Sequence, residues 1–148
     1  MEELCLAWEQ LTTNQLYDLL QLRQDVFVVE QDCPYLDADG KDQASHHILM
    51  YEKNTLIAYT RLVPKGVSYE NYVSVGRVVN HKSVRGKGIG KRLMTFSIQK
   101  CQELFPGEKI KISAQVYLLK FYIELGFEET GERYLEDGIP HCGMVYSI

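Results

Sequence analysis

Apolar positions along the chain change spacing from period two to period three-to-four and back, and the changes mark successive elements. Leu4-Cys5-Leu6-Ala7-Trp8 reads as a short strand. From Thr13, the expected N-cap, Leu16, Leu19, Leu20, Leu22, Val26 and Phe27 recur at helical spacing and predict an inward face. The helical signal fades before Cys33-Pro34, and Asp37-Ala38-Asp39-Gly40 has the chemistry of a loop. His47–Tyr51 and Leu56–Val63 flank Lys53-Asn54 and predict a β-hairpin. Tyr72–Val79 is dense in β-branched residues and predicts a central strand. Lys91–Leu104 predicts a helix with Leu93, Phe96, Ile98 and Cys101 near one face. Lys109–Ala114 alternates as a strand, and Val116–Leu125 predicts a helix with Leu118, Leu119, Tyr122 and Ile123 inward, closed by Gly126. Arg133-Tyr134, a turn at Glu136-Asp137-Gly138 and Cys142–Tyr146 predict a last hairpin.

The order β-α-β-β-β-α-β-α-β-β describes an α/β (α+β) sandwich, one domain over residues 1–148 without repeats or linkers. Strand 72–79, the following helix and strand 109–114 make a βαβ unit, right-handed by rule, and therefore a parallel strand pair.

Composition narrows the class. An apolar share of 45% and a charged share of 24% are those of a soluble globular protein. No apolar run approaches the roughly 20 residues of a spanning helix, and Met1-Glu2-Glu3-Leu4 lacks the basic and apolar regions of a secretory signal. The expectation is a cytoplasmic protein without a membrane partner. Cys5, Cys33, Cys101 and Cys142 are scattered with no zinc-like spacing, and read as reduced thiols. His46-His47 and His141-Cys142 are adjacent pairs whose side chains leave a strand on opposite faces. Asp37-x-Asp39-Gly40 lacks the rest of a calcium loop, so no metal is expected.

A net charge of −4 argues against nucleic acid as a partner. Its distribution is more informative. Lys82, Arg85, Lys87, Lys91 and Arg92 lie within eleven residues free of acids, whereas Glu30, Asp32, Asp37, Asp39 and Asp42 face only Lys41. The basic stretch suits a phosphorylated ligand. The acidic stretch reads either as a lure for a cationic substrate or as solvated surface charge.

The basic stretch contains Arg85-Gly86-Lys87-Gly88-Ile89-Gly90, placed between a strand and a helix. Glycines there allow tight turning and close approach of N–H groups to an anion, and a helix start adds unpaired donors. The pattern is neither a P-loop nor the dinucleotide fingerprint, because the glycines fall at alternate positions. A P-loop nucleotide hydrolase is thereby set aside. The remaining pattern, Arg-x-x-Gly-x-Gly, resembles the acetyl-CoA pyrophosphate loop of the GNAT superfamily of N-acetyltransferases. Gln115–Phe127, with Phe121-Tyr122 and Gly126-Phe127, resembles a later motif of the same superfamily. Leu22–Tyr35 and Glu136–His141 resemble its ElaA branch.

The resemblance implies a single-domain GNAT fold: a mixed central sheet, a splayed parallel strand pair and flanking helices. It implies acetyl-CoA as cosubstrate, a small-molecule or peptidyl amine as acceptor, and direct attack in a ternary complex. By resemblance, Arg85, Gly86, Lys87, Gly88, Ile89, Gly90 and Lys91 hold the pyrophosphate, with Val78, Val79, Asn80 and Gln115 along the pantetheine arm. Asn80 stands where the family usually has an aliphatic residue, and Gln115 where asparagine is frequent. Tyr122 is implied as the general acid for the departing thiolate, since a phenol of pKa about 10 matches a thiolate of similar basicity.

An amine must also lose a proton, which calls for a base, and Glu30 and His141 have the chemistry. Arg77 and Tyr35 are candidates for the acceptor. Arg77 either orients a substrate carboxylate or pairs with an acid such as Glu30. Two further readings stay open: a non-catalytic acyl-CoA-binding or partner-docking module on the same fold, and a homodimer formed across an exposed strand.

Overall fold

Seven strands form one sheet in the order β1-β2-β3-β4-β5-β7-β6 in the computed structural model, which describes residues 1–147. The strands are β1 (Glu2–Ala7), β2 (His46–Glu52), β3 (Thr55–Val63), β4 (Val73–Asn80), β5 (Ile110–Gln115), β6 (Phe127–Glu136) and β7 (Ile139–Tyr146). The helices are α1 (Thr13–Arg23), α2 (Ile89–Leu104) and α3 (Leu119–Leu125). Element order is the expected one, and the expected parallel pair is β4–β5. Every other neighbouring pair is antiparallel.

Strand alternation builds a core on each face. Leu49, Tyr59 and Val79 meet Leu19, Leu22 and Val26 from the α1 side. Ile48, Met50, Val73 and Val75 meet Leu93, Met94, Ile98 and Cys101 of α2, and Tyr122 of α3, on the other. Each buried leucine of α1 contributes about 1.5–3 kcal/mol by leaving water. Thr60 Oγ1 and Ser97 Oγ, 2.7 Å apart, tie α2 to β3 within this packing.

Several boundaries differ from the periodicity. Thr12, not Thr13, caps α1: its Oγ1 accepts from Gln15 N at 3.1 Å while Gln15 Oε1 accepts from Thr12 N at 2.9 Å. The inward run Val26-Phe27 lies beyond α1, in a wider helical stretch over Gln24–Glu30. There Gln31 N donates to Val26 O and Cys33 N to Val28 O, each at 3.1 Å, one residue farther back than in an α-helix. Of the 116–125 helix, Leu119–Leu125 is α-helical and the first turn, Val116–Leu118, is 3₁₀. Ile123 is 51% exposed rather than inward. In α2, Met94 and Ser97 complete the inner face, and Phe96 is only partly covered. The last hairpin begins at Phe127, well before Arg133.

Two hairpin turns follow their local chemistry. Lys53 and Asn54 take φ of 49° and 65°, and Asp137 and Gly138 take 52° and 76°. Both are two-residue loops in the left-handed region, whose twist matches that of the flanking strands.

Candidate active site

The parallel pair parts almost as soon as it forms. Its register runs only through Val73↔Ile110 and Ser74↔Lys111. Beyond it β4 diverges, and a bulge drives the divergence: Tyr59↔Val79 and Arg61↔Gly76 leave Thr60 opposite both Arg77 and Val78. Arg77 takes φ of 50° to accommodate the extra residue. An open cleft of about 500 Å³ occupies the wedge, with Val78 on one wall and Gln115 on the other.

Of the residues expected from sequence, the cleft brings together Tyr35, Arg77, Val78, Gln115, Tyr122 and His141. Val79 is buried in the α1-side core, so only its backbone remains for a ligand. Asn80 ends β4 and leads toward the glycine loop.

Gly86 and Gly88 take φ of 78° and 76°, where any other residue is strained. Gly90 is required by proximity instead: a Cβ there would stand 3.3 Å from Asn80 Nδ2 and 3.7 Å from the Phe121 ring. The first helical bond of α2 runs from Arg92 N to Gly88 O. The N–H groups of Ile89, Gly90 and Lys91 precede it and have no partner within the helix, no side chain caps them, and no acid sits in the first turn. Positive dipole end, open donors, Lys87 and Lys91 together suit a pyrophosphate. Beside them the Asn80 Oδ1 is buried without a hydrogen-bond partner among the described residues. An orphaned acceptor at the junction of loop and cleft fits a ligand that brings its own donors, such as the amides of a pantetheine arm.

Glu30 is not in the cleft. It forms a two-oxygen ion pair with Arg85, whose Nη2 donates to Glu30 Oε2 at 2.8 Å and also reaches Asn80 O at 3.3 Å. The Arg85 hydrogen bond holds the Glu30 carboxyl below its ordinary range.

Tyr122 is 6% exposed and meets the rings of Phe121 and Phe127 edge-on at 5.1 and 5.8 Å. Burial, reinforced by Tyr117, pushes its phenol up to about 12. It stays protonated across the neutral range, a reservoir held more tightly than an exposed tyrosine's.

The acidic segment is not a free lure. Asp37, Asp39 and Asp42 are matched by Arg23, Arg61 and Arg77. Arg23 Nε and Nη1 donate to Asp37 Oδ2 and Asp42 Oδ1, both at 2.8 Å. Arg61 reaches Asp39 through two bonds of 2.8 Å and Asp42 at 3.0 Å. Arg77 Nε reaches Asp37 Oδ1 at 2.9 Å and its Nη2 reaches Asp39 at 3.4 Å, so its partners are these aspartates rather than Glu30. The Tyr35 hydroxyl donates to Asp37 Oδ1 at 3.1 Å, its ring lies against Arg77, and burial pushes its phenol up to about 12. This lattice pins the irregular segment after residue 30 to α1, β3 and β4 and shapes one side of the cleft.

Burial opposes ionisation of Asp39 and Asp42, but hydrogen bonds from Arg61 and Arg23 respectively outweigh it, and both carboxyls lie below the ordinary range. Burial also lowers His47, whose Nε2 faces Asp42 O at 2.9 Å and whose Nδ1 faces the Tyr59 hydroxyl at 2.6 Å. In all three groups the folded value is below the unfolded one, so stability is lost as pH falls. His47 acts below its unfolded value near 6.5 and the aspartates below about 3.9. Denaturation at a series of pH values is expected to show a first decline below about pH 6.5 and a steeper one below about pH 4. His47→Gln should abolish the first decline; its persistence would assign that decline to another group.

Comparison with known proteins decides the lineage. The family profile described as Acetyltransferase (GNAT) domain matches residues 21–148. The chain belongs to the GNAT acetyltransferase family. Protein ElaA of Escherichia coli (strain K12) is 41% identical over 141 residues, covering 94% of this chain and 92% of that protein. The solved structure of E. coli ElaA superposes with a TM-score of 0.93 at 39% identity, over 99% of this chain and 100% of that one. An acyl-CoA N-acyltransferase from Pseudomonas aeruginosa superposes equally well, with a TM-score of 0.93 at 40% identity and the same coverage. The GNAT family carries out acyl transfer, and the splayed strands and glycine loop are its architecture. No helix among the described residues is long and apolar enough to cross a membrane.

Within this GNAT site the sequence reading passed over Arg23 and Arg61, and with them the role of Asp37, Asp39 and Asp42. A signal existed. Arg61 is the one charged residue of the buried strand β3, and Arg23 follows Leu19 and Leu22 on the buried side of α1, positions where a cation needs a buried counter-charge.

Proposed function

We propose that the protein is an N-acetyltransferase that transfers the acetyl group of acetyl-CoA to a primary amine by direct attack in a ternary complex, with residues 1–148 acting as one catalytic domain. The observation that carries this reading is adjacency: β4, which lines a cleft holding Tyr122 and His141, ends at Asn80 and is followed, through a 3₁₀ turn at Lys82–Val84 and the glycine loop, by the uncapped start of α2 at Gly88.

In this reading the N–H groups from Gly86 to Lys91 receive the pyrophosphate, and Arg85 and Lys87 add charge. The pantetheine arm lies between the parted strands, against Val78, Asn80 and Gln115. A backbone N–H on the bulged edge of β4 polarises the thioester carbonyl. The acceptor nitrogen bonds to the acyl carbon, the carbon–sulfur bond breaks, and the Tyr122 hydroxyl protonates the departing thiolate. The proton lost by the amine passes to a base, and solvent returns one to Tyr122. Of the two candidate bases His141 is favoured, because it shares the cleft with Tyr122 while Glu30 is occupied with Arg85. Arg77 and Tyr35, on the wall opposite His141's strand, are read as acceptor contacts.

Thermal unfolding with and without acetyl-CoA tests donor binding, and coenzyme A release over an amine panel tests turnover. At about 100 times the dissociation constant the ligand should add roughly 2.7 kcal/mol, a rise of several degrees in Tm. Gly88→Glu should abolish that rise, because it places a carboxylate in a left-handed position within the anion cradle. A rise without coenzyme A release on any amine would make the protein an acyl-CoA-binding module.

A further inference from the structure

The hairpin β6–β7 supplies a residue that the reading above does not use. Its two-residue turn at Asp137-Gly138 pairs Glu136 with Ile139 and Tyr134 with His141. Alternation therefore puts Tyr134, Glu136 and His141 on one face of the ribbon, with Glu136 diagonal to His141. The rings of Tyr134 and His141 stack at 6.2 Å and 15°. His141 is 7% exposed and its Nδ1 lies 2.7 Å from Ile139 O. A carbonyl only accepts, so Nδ1 carries the proton, and the neutral ring keeps its lone pair on Nε2. The group facing that nitrogen is Glu136 Oε2, at 3.4 Å.

We infer that Glu136 is a positioning residue for His141: its carboxylate stabilises the imidazolium that forms when Nε2 takes the proton of the acceptor amine. The inference rests on the reading of His141 as the base. The hairpin performs two tasks at once, since the Ile139 carbonyl selects the tautomer while the residue paired with Ile139 supplies the counter-charge. Glu136 is 54% exposed, so the acquired proton has a route to water beside it. The sequence between the two residues also explains the spacing: a turn one residue longer would move Glu136 off the diagonal.

Tyr134 and Glu136 touch the ring, and other charged and titratable groups line the same cleft. Tyr134 and Glu136 come from β6, Asp137 from the turn, Tyr122 from α3, and Tyr69 from the loop before β4; Arg61 and Arg77 line the same cleft from β3 and β4, with Asp39 and Lys41. Arg61, Arg77 and Asp39 are engaged with one another's counter-ions. Tyr69 is raised to about 12 by burial first, then by Tyr134, Glu136 and Glu132.

The test needs no substrate. Nitrogen-15 NMR of the histidine rings, assigned with His141→Gln, is followed against pH in the parent, Glu136→Gln and Glu136→Asp proteins. In Glu136→Gln the His141 signals should change protonation at a lower pH than in the parent, with the Nδ1–H tautomer retained, and Glu136→Asp should restore part of the difference. An unmoved titration in Glu136→Gln overturns the inference. With an accepted amine in hand, the acid limb of kcat/KM should move to lower pH by the same amount and the plateau should fall, whereas a structural loss would lower the plateau without moving the limb. If the NMR shift appears while His141→Ala keeps full turnover, the coupling stands and the base reading fails.

Discussion

Replacing Arg23 by methionine is expected to destabilise the protein by about 3–5 kcal/mol, the range found when one partner of a buried ion pair is removed. Arg23 has no exposed surface and donates to Asp37, Asp42 and the Asp37 carbonyl, the last at 3.2 Å. Methionine keeps most of the packing but leaves two carboxylates short of a donor. Arg61 and Arg77 still reach them, which keeps the loss near a single-partner value. Burial by itself disfavours the charged guanidinium, yet the hydrogen bond of Asp42, with electrostatic interaction from Tyr59, Asp42 and Asp37, leaves its pKa above the ordinary arginine value. Urea denaturation measures the change directly. A difference below about 1 kcal/mol with an unaltered urea slope would mean that this lattice does not hold the segment after residue 30 in place. Because Gln31, Cys33, Tyr35, Asp39 and Lys41 line the cleft, the same variant should weaken acceptor binding more than acetyl-CoA binding.

Tyr122→Phe is the second large effect, and it should fall on catalysis alone. Removal of a general acid lowers kcat by roughly 10²–10⁴-fold. The substitution keeps the ring, and with it the edge-on contacts to Phe121 and Phe127. The melting temperature and the stabilisation by acetyl-CoA should therefore be those of the parent. Saturating turnover with an accepted amine is the measurement. Unchanged kcat would remove Tyr122 from the proton path and leave water as the donor. A loss of kcat accompanied by a fall in Tm would make the hydroxyl a structural group instead. Before any ligand binds, burial holds this phenol near 12, well above the value of about 10 assumed from sequence. In the proposed reaction, a thiolate leaving beside this buried hydroxyl would also lose part of its hydration and become more basic, which restores the match.

The two variants probe different kinds of information. Tyr122 was recognisable from a contiguous stretch, Phe121-Tyr122 followed by Gly126-Phe127 on a helix. Arg85 and the glycines of its loop were recognisable in the same way, and both glycines with left-handed φ lie where the loop chemistry required them. Arg23 and Arg61 carry no motif. Their importance appears only when residues 14 to 22 positions away in the chain come within 3 Å of them. Arg77 was noticed, but its partner was misjudged: the bulge in β4 turns it toward Asp37, and Glu30 goes to Arg85, 55 residues distant.

What the amino-acid order determined unaided was local. Periods of two and of three-to-four residues set strand and helix, Asp137-Gly138 and Lys53-Asn54 set the hairpins, and the strand–glycine–helix succession set the uncapped start of α2, because each rests on steric and hydrogen-bonding preferences within a few residues. The tertiary structure decided the electrostatics. An aspartate-rich segment reads as open negative charge until the fold delivers three arginines to it, and His141, a candidate base by its chemistry alone, acquires a carboxylate 3.4 Å from its Nε2 only through the folded hairpin. Charge interactions fall with distance and with the dielectric around them, and both are properties of where the chain crosses itself.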